Sequence, residues 1–212
     1  MRLGLEADLL ALRDSIDGQS ARTVAPLAAR VDRDQKFSPE LWRAICDLGL
    51  TRLPFTEAQG GDGGNVRAYV VATREVARHC AVGALYPGTT VQVAMTVRAH
   101  GTQAQIDRYV PGLIAGEKIA AWAFTEPSTG SDPKQITTRA TRDGDGWILN
   151  GSKMFISFAD QADVALVFAR TSDHGLSGFL VDTSLPGWSV GEKSEVLSMG
   201  GTEARPIAFD DM

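Results

Sequence analysis

A chain of 212 residues with 43% hydrophobic and 22% charged residues has the composition of a globular protein, long enough for one large domain or two small ones. Its formal net charge of −5 provides no basic field to displace counterions from phosphates, so we expect no nucleic-acid or anionic-membrane partner. No stretch approaches the roughly 20 apolar residues that span a bilayer. The N-terminal MRLGLEADLL is acidic where a signal peptide is basic, so we expect a cytoplasmic protein.

Residues that commonly form disulfides or bind metals are few and scattered. The cysteines, Cys46 and Cys80, lie in apolar, helix-like contexts, which favours two buried free thiols. The histidines, His79, His100 and His174, lack the spacing of metal ligands. We therefore expect neither a disulfide framework nor a metal site.

The first half of the chain carries the apolar spacing of amphipathic helices. Three helix starts are marked by side chains that can cap free backbone N–H groups: Ser38 before Pro39, Asn65, and Thr102 with Gln105 in a T-x-x-Q capping box. We expect a break between two helices at Pro87-Gly88 and a helix stop at Gly116. Residues 1–118 are therefore interpreted as a helical domain.

After Gly116 the pattern changes to short apolar or alternating runs, which are typical of strands. The strand candidates are residues 119–124, 136–142, 147–149, 164–169, 178–181, 188–190 and 206–209. The sequence Asp143-Gly144-Asp145-Gly146 has the residues of a tight hairpin turn. We interpret residues 119–212 as an antiparallel β domain, which makes the fold class α+β.

Two polar stretches stand out in the β domain: WAFTEPSTGSDP at 122–133 and LNGSKMFIS at 149–157. In the first, Pro127 turns the chain at the end of a strand. The loop that follows, 129–132, can direct backbone amides and a hydroxyl at a phosphate without a nearby lysine. Surface turns often have the same composition, so a solvated turn is the alternative interpretation of this loop.

The stretch AFTEPSTGSD, followed by GWILNGSKMFIS, resembles the flavin-binding region of the acyl-CoA dehydrogenase family. Upstream, GTQAQIDRYVPGLIAGEKIAAWAFTEP resembles that family's link from its N-terminal helical domain into its middle domain. The resemblance covers nearly the whole chain. It implies that residues 119–212 form an antiparallel, β-barrel-like, flavin-binding domain. It also implies FAD as cofactor, an acyl-CoA or acyl-carrier thioester as substrate in fatty acid metabolism, and an electron-transfer acceptor.

The resemblance implies cofactor-binding roles for eight residues: Trp122, Phe124, Thr125, Gly130, Ser131, Phe155, Ile156 and Ser157. In the family, the strand and loop positions of the first three lie along the isoalloxazine ring, and the next two positions meet the pyrophosphate. The aromatic-aliphatic-hydroxyl triplet at 155–157 corresponds to one that packs at the other face of the flavin, with its hydroxyl near N5. The sequence departs from the commonest family pattern at Thr129, Gln135, Phe155 and Ser157, which is compatible with flavin binding and leaves the substrate class open.

Family members continue into a C-terminal helical bundle that supplies the catalytic glutamate and completes the FAD site, whereas this sequence stops at FDDM. We therefore assign no catalytic base among these residues, and for Glu126 we expect a structural ion pair or a turn contact. The apolar surface that the bundle covers would be exposed here, so we expect a homo- or hetero-oligomer.

Three functions remain open from the sequence. The first is a FAD-dependent acyl-CoA (or acyl-carrier) dehydrogenase in which this chain supplies part of the site. The second is a flavin-dependent oxidase or monooxygenase of the same fold. The third is a non-catalytic remnant or interaction module that does not bind FAD.

Overall fold

A computed structural model describes residues 6–173 and 175–212. Half of the N-terminal stretch MRLGLEADLL, together with His174, lies outside the described residues. The chain divides into two compact units. The first, which we call the helical unit, comprises Met1–Glu117 and Leu197–Thr202, and the second, the sheet unit, comprises Lys118–Val196 and Glu203–Met212. The helical unit thus includes a short segment from late in the sequence.

Six α-helices form the described part of the helical unit: α1 Ala7–Thr23, α2 Ala25–Asp34, α3 Pro39–Asp47, α4 Val66–His79, α5 Ala81–His100 and α6 Gln103–Ala115. The caps predicted at Ser38, Asn65 and Thr102 are confirmed, because each side chain accepts a hydrogen bond from the backbone N–H three residues later. Gly116 ends α6 in a left-handed conformation with φ of 75°. No described helix combines the length and apolar character needed to cross a membrane.

Helix α5 runs without interruption through Pro87, so the break predicted at Pro87-Gly88 is wrong. A proline inside a helix removes one backbone hydrogen bond and costs about 3 kcal/mol. Tertiary packing outweighs this cost, because α5 buries apolar side chains along most of its length, among them Tyr86 and Val91. The Tyr86 hydroxyl also accepts a hydrogen bond from Ser38 N at 2.9 Å and donates one to Gly201 O at 3.2 Å. These bonds tie α5 to the start of α3 and to the late segment.

Seven strands form the described part of the sheet unit: β1 Ala120–Ala123, β2 Arg139–Asp143, β3 Gly146–Ile156, β4 Val164–Arg170, β5 Leu176–Asp182, β6 Trp188–Val190 and β7 Arg205–Phe209. The sheet order is β1-β4-β2-β3-β7-β6, and β5 pairs with β4. The predicted hairpin at 143–146 is confirmed, since it joins β2 to β3 with Asp143 opposite Gly146. The α+β fold class is also confirmed.

The sheet is mixed, which corrects the expectation that it is antiparallel throughout. β1 runs parallel to β4, with Ala120 opposite Val164 and Ala123 opposite Val167. Parallel neighbours need a long crossover between them, and here the β2–β3 hairpin provides it. The core of the unit packs small and branched side chains from these strands, including Ala121, Ala123, Ala165, Val167 and Ile156.

Candidate functional site

Strand β1 separates its side chains between the core and an aromatic face. Ala121 and Ala123 are fully buried in the core, so the alternate residues Trp122 and Phe124 lie on the opposite face, where both are half-buried. Both rings pack on Phe168 of β4, with centroid separations of 5.0 and 5.1 Å. The two aromatic residues predicted to bind the cofactor therefore belong to a three-ring cluster that includes Phe168.

A tight turn follows β1. Glu126 and Thr129 exchange two backbone hydrogen bonds, of 2.8 and 3.2 Å, which reverse the chain around Pro127. The Thr129 hydroxyl donates to Asp132 O at 2.8 Å, and the Asp132 carboxylate in turn accepts from Lys134 N at 3.0 Å. These bonds fix the loop at both ends and leave its middle exposed.

The loop, and the residue before the turn, carry backbone amides that have no acceptor in the part of the chain that the structure describes. Among the described residues, the backbone N–H groups of Thr125, Gly130 and Ser131 donate no hydrogen bond. A Cβ built on Gly130 would meet only the Cγ2 atom of Thr125, at 3.6 Å, so the backbone there is open and lies beside Thr125. Backbone amides left free on an exposed loop are suited to binding an anionic group.

The second motif ends in an irregular strand. The pairing of β3 with β7 shifts register between Lys153 and Ile156, and between them Phe155 adopts a left-handed backbone with φ of 58°. A bulky side chain rarely takes this conformation, which costs roughly 1–2 kcal/mol. Phe155 is 57% exposed, whereas Ile156 is buried in the core and Ser157 is half-buried. The strained position therefore presents an aromatic ring outward, and Ile156 offers only its backbone to a ligand.

The two motifs meet in space. Met154 N donates a 2.8 Å hydrogen bond to Thr125 O, so Thr125 lies next to the residue that precedes Phe155. Lys153, one residue earlier, donates from Nζ to Phe124 O at 3.2 Å. The structure thus brings together Phe124, Thr125 and the start of the 155–157 triplet, with Gly130 beside Thr125.

Glu126 and Lys153 form an ion pair beneath this junction. Their side chains are 1% and 0% exposed, and Nζ lies 2.9 Å from Oε1. The Glu126 carboxylate also accepts hydrogen bonds from the backbone N–H and hydroxyl of both Thr137 and Thr138, at 2.6–2.9 Å. Burial raises the pKa of Glu126, but these donors outweigh it and lower the pKa from 4.5 to about 2. The structural ion pair expected for Glu126 is confirmed.

Burial also dominates the titration of the lysine. It lowers the pKa of Lys153 below its ordinary value, against the opposing effect of the Glu126 carboxylate. The three N–H groups of its ammonium have three acceptors: Glu126 Oε1, Phe124 O and Phe168 O. Lys153 is therefore satisfied and has no donor left for a ligand.

The donor set fits a flavin nucleotide. Free backbone amides at an open glycine suit a pyrophosphate, a hydroxyl and amide at Thr125 suit a polar ring edge, and the exposed ring of Phe155 suits an aromatic face. Among the described residues, no group of three His, Cys, Asp or Glu side chains could hold a metal ion. His79 instead lies 2.8 Å from the Asp17 carboxylate in the helical unit.

Sequence reasoning missed three contributors to this region: Phe168, Lys153 and the Thr137-Thr138 pair. Phe168 comes from a strand far along the chain, so no local pattern links it to Trp122. Lys153 lies inside the second motif, but a lysine in a strand is usually exposed, so its residue type gave no sign of a buried partner.

Comparisons with known proteins cover nearly the whole chain. The family models of the acyl-CoA dehydrogenase N-terminal and middle domains match residues 6–117 and 121–212. A short-chain specific acyl-CoA dehydrogenase of Clostridium acetobutylicum is 32% identical over 194 residues, which cover 89% of this chain and 51% of that protein. The chain thus spans about half the length of the curated relatives it matches.

Two solved structures show the same fold. Butyryl-CoA dehydrogenase from Megasphaera elsdenii superposes with a TM-score of 0.91 at 30% identity, over 100% of this chain and 58% of that one. A glutaryl-CoA dehydrogenase from Mycobacterium smegmatis in complex with FADH2 gives a TM-score of 0.92 at 29% identity, over 98% of this chain and 54% of that one. With both of its domains matched by the family models, this chain belongs to the acyl-CoA dehydrogenase family.

Proposed function

We propose that this chain supplies the flavin-binding part of a FAD-dependent dehydrogenase that acts on an acyl-CoA or acyl-carrier thioester. The observation that carries the proposal is the group of uncommitted amide donors at Thr125, Gly130 and Ser131, in which Thr125 O also accepts a hydrogen bond from Met154 N, one residue before the exposed Phe155. Relatives described as short-chain, butyryl-CoA and glutaryl-CoA dehydrogenases support a thioester substrate. The acyl group itself is left open.

Each residue has a proposed task. FAD, when bound, supplies the hydride acceptor for α,β-dehydrogenation of the thioester. The amide and hydroxyl of Thr125 donate to the pyrimidine edge, where a fixed donor in an enclosed site is worth about 3 kcal/mol. The amides of Gly130 and Ser131 bind the pyrophosphate. Trp122 and Phe124 line the ring on the β1 side.

The triplet at the end of β3 completes the proposed cofactor contacts. The ring of Phe155 covers the flavin and excludes water, and aromatic stacking contributes about 0.5–1.5 kcal/mol. Ser157 places its hydroxyl near the atom that accepts the hydride, and Ile156 contributes its backbone, since its side chain is in the core.

The reaction also needs a carboxylate that removes the α-proton. Glu126 does not fit this role, because its two oxygens accept five hydrogen bonds and its pKa is held at about 2. A base must instead be exposed to substrate and close in pKa to the working pH. In agreement with the resemblance to the family, we propose that the base comes from a segment or chain outside these 212 residues.

The first test is a titration of the purified chain with FAD, followed by flavin fluorescence and the visible absorbance spectrum. The decisive variant is Gly130→Leu, because a side chain there has room to form yet blocks approach to the loop amides. We expect this variant to weaken FAD binding by about tenfold or more, equivalent to about 1.4 kcal/mol.

The matched control is Gly146→Leu, at the β2–β3 hairpin. Gly146 is also exposed, and its built Cβ likewise meets its nearest heavy atom at 3.6 Å. Leucine at 146 should leave FAD binding unchanged. If both variants and the parent chain bind FAD equally well, the loop is not part of the site. If the parent chain does not bind FAD, a non-catalytic module is favoured.

The proposal includes an oligomer and an external electron acceptor. Val66 and Val70, one turn apart on α4, are 54% and 58% exposed, and Leu197 in the late segment is fully exposed. Exposed apolar side chains of this kind favour association with another chain. Light scattering of the purified protein tests this, and a monomer at high concentration would count against it.

A further inference from the structure

The buried pair Glu126 and Lys153 does more than neutralise charge. Nζ of Lys153 donates to Phe124 O, at 3.2 Å, and to Phe168 O, at 2.6 Å. The pairing of β1 with β4 ends at Ala123 and Val167. Phe124 and Phe168 are the next residues along the chain, so both carbonyls lie just beyond the last pair. The ammonium thus links the two strands at the point where their regular pairing ends.

The carboxylate of Glu126 anchors the other side of the same junction. Glu126 immediately follows Thr125 in the chain. Its carboxylate accepts hydrogen bonds from the amides of Thr137 and Thr138, which lead into β2. The backbone around Thr125 is therefore held from both sides, through Phe124 O by the lysine and through residue 126 by the threonines.

Stability alone does not require such a pair. Two buried charges lose their hydration, and apolar side chains of the same volume are often as stabilising or more so. Charged groups differ from apolar ones in fixing the directions of the carbonyl and amide groups they bind. Here the fixed groups flank Thr125 and precede Phe155, which are the residues proposed to contact the flavin.

We propose that Lys153 and Glu126 are positioning residues, which hold the backbone of Phe124 and Thr125 in the direction needed to donate to the cofactor. The ligand in this inference, FAD, rests on the proposed function. The role of the pair in holding the backbone rests on the contacts within the chain alone. Neither side chain touches the flavin in this proposal. Both act through the backbone at the junction between the two motifs.

The test uses the neutral double variant Lys153→Met/Glu126→Gln in the full 212-residue chain. Removing both charges leaves no unpaired ion in the core, so the variant avoids the main cause of unfolding. The first readout is hydrogen exchange of the Met154 amide, which donates to Thr125 O in the parent chain. We expect its exchange to become about tenfold faster than in the parent chain, as local opening is favoured.

The second readout is FAD affinity, with Val181→Ala as the control. Val181 lies in the same core on β5, so its truncation lowers stability without touching the pair. We expect the double variant to weaken FAD binding by about tenfold and to shift the visible flavin bands, while Val181→Ala stays within about twofold. A general loss of stability would weaken FAD binding in both variants. Only a positioning role predicts weaker FAD binding in the double variant than in a Val181→Ala variant of similar stability.

Unchanged Met154 exchange in the double variant would overturn the inference, whether or not FAD binds. Unchanged FAD affinity and spectrum would also overturn it, and would leave the proposed function intact. If the parent chain binds no FAD but Met154 exchange rises in the double variant, the proposed function fails while the role of the pair in holding the loop is supported.

Discussion

The helical and sheet units each bury an acidic side chain, but they satisfy it in different ways. In the sheet unit, Glu126 accepts hydrogen bonds from two backbone amides, two hydroxyls and a fully buried ammonium. In the helical unit, Glu75 on α4 is equally buried, but its cations, Arg78 at 2.8 Å and Arg74 at 3.4 Å, are 60% and 47% exposed. Among the described residues, Glu75 Oε1 has no hydrogen-bond donor.

This difference separates two uses of a buried carboxylate. The fold fixes the positions of backbone amides. A carboxylate that accepts hydrogen bonds from them is therefore also fixed, and it restrains the residues next to it in the chain. Arginines on a helix surface are flexible and solvated, so they neutralise a charge without fixing a loop. The comparison predicts that changes at Glu126 and Lys153 cost far more than changes at Glu75.

The largest effect is expected for Lys153→Met alone. This change leaves the Glu126 carboxylate buried without its cation, which costs about 3–5 kcal/mol in unfolding free energy. Urea unfolding followed by circular dichroism measures it. Lys134→Met, at an exposed lysine of the same unit, is the control and should change stability by less than about 0.5 kcal/mol. Similar losses for both variants would refute a structural role for the buried pair.

The second prediction concerns the pH dependence of the same pair. The pKa of Glu126 is about 2 in the folded chain, below its ordinary value of 4.5. A lowered folded pKa stabilises the fold above about pH 4.5, and that stabilisation is lost as pH falls toward 2. Linkage sets its upper size at about 3 kcal/mol.

Glu126→Gln isolates this contribution, because glutamine does not titrate. The stability difference between the parent chain and the variant should be constant at neutral pH and should shrink between about pH 4.5 and pH 2. Unfolding free energies of both proteins, measured across this range, test the sign. Parallel pH profiles would show that other carboxylates control acid unfolding.

The same contrast explains which parts of the fold could be predicted from sequence. Helix starts at Ser38, Asn65 and Thr102 depend on hydrogen bonds three residues apart, so the local sequence contains the whole interaction. The path of α5 through Pro87 and the parallel pairing of β1 with β4 depend on packing and on strands distant in sequence. Local patterns carry no information about these partners.

The candidate site divides in the same way. The two motifs could be located from their residues, because their polar loop and aromatic triplet are contiguous. The burial of Lys153 could not be predicted, since a lysine in a strand is usually exposed. Its three acceptors are Phe124 O just after β1, Glu126 in the following turn, and Phe168 O in β4. The left-handed backbone of Phe155 also contradicts its strand propensity, and it lies where the register of β3 against β7 shifts.

A capping side chain tests whether amide anchoring also matters at an exposed position. In the helical unit, Thr102 Oγ1 accepts from Gln105 N at 3.3 Å, and Gln105 Oε1 accepts from Thr102 N at 2.8 Å. Thr102→Ala should lower the unfolding free energy by about 1 kcal/mol. Thr102→Ser keeps the hydroxyl and should restore most of the loss, which urea unfolding would show. A serine variant as unstable as the alanine variant would mean that packing, not capping, is lost.

The smallest effect is expected at Glu75, which sharpens the comparison with Glu126. Glu75→Gln removes a charge whose partners are two surface arginines, so the variant should lose less than about 1 kcal/mol. Glu126→Gln, also an amide replacement of a buried acid, should lose severalfold more, because it breaks charge-assisted bonds and leaves an ammonium buried. Urea unfolding of both variants at neutral pH compares them directly. Equal losses would mean that burial alone sets the cost, and that the amide donors around Glu126 contribute nothing specific to the junction beside Thr125.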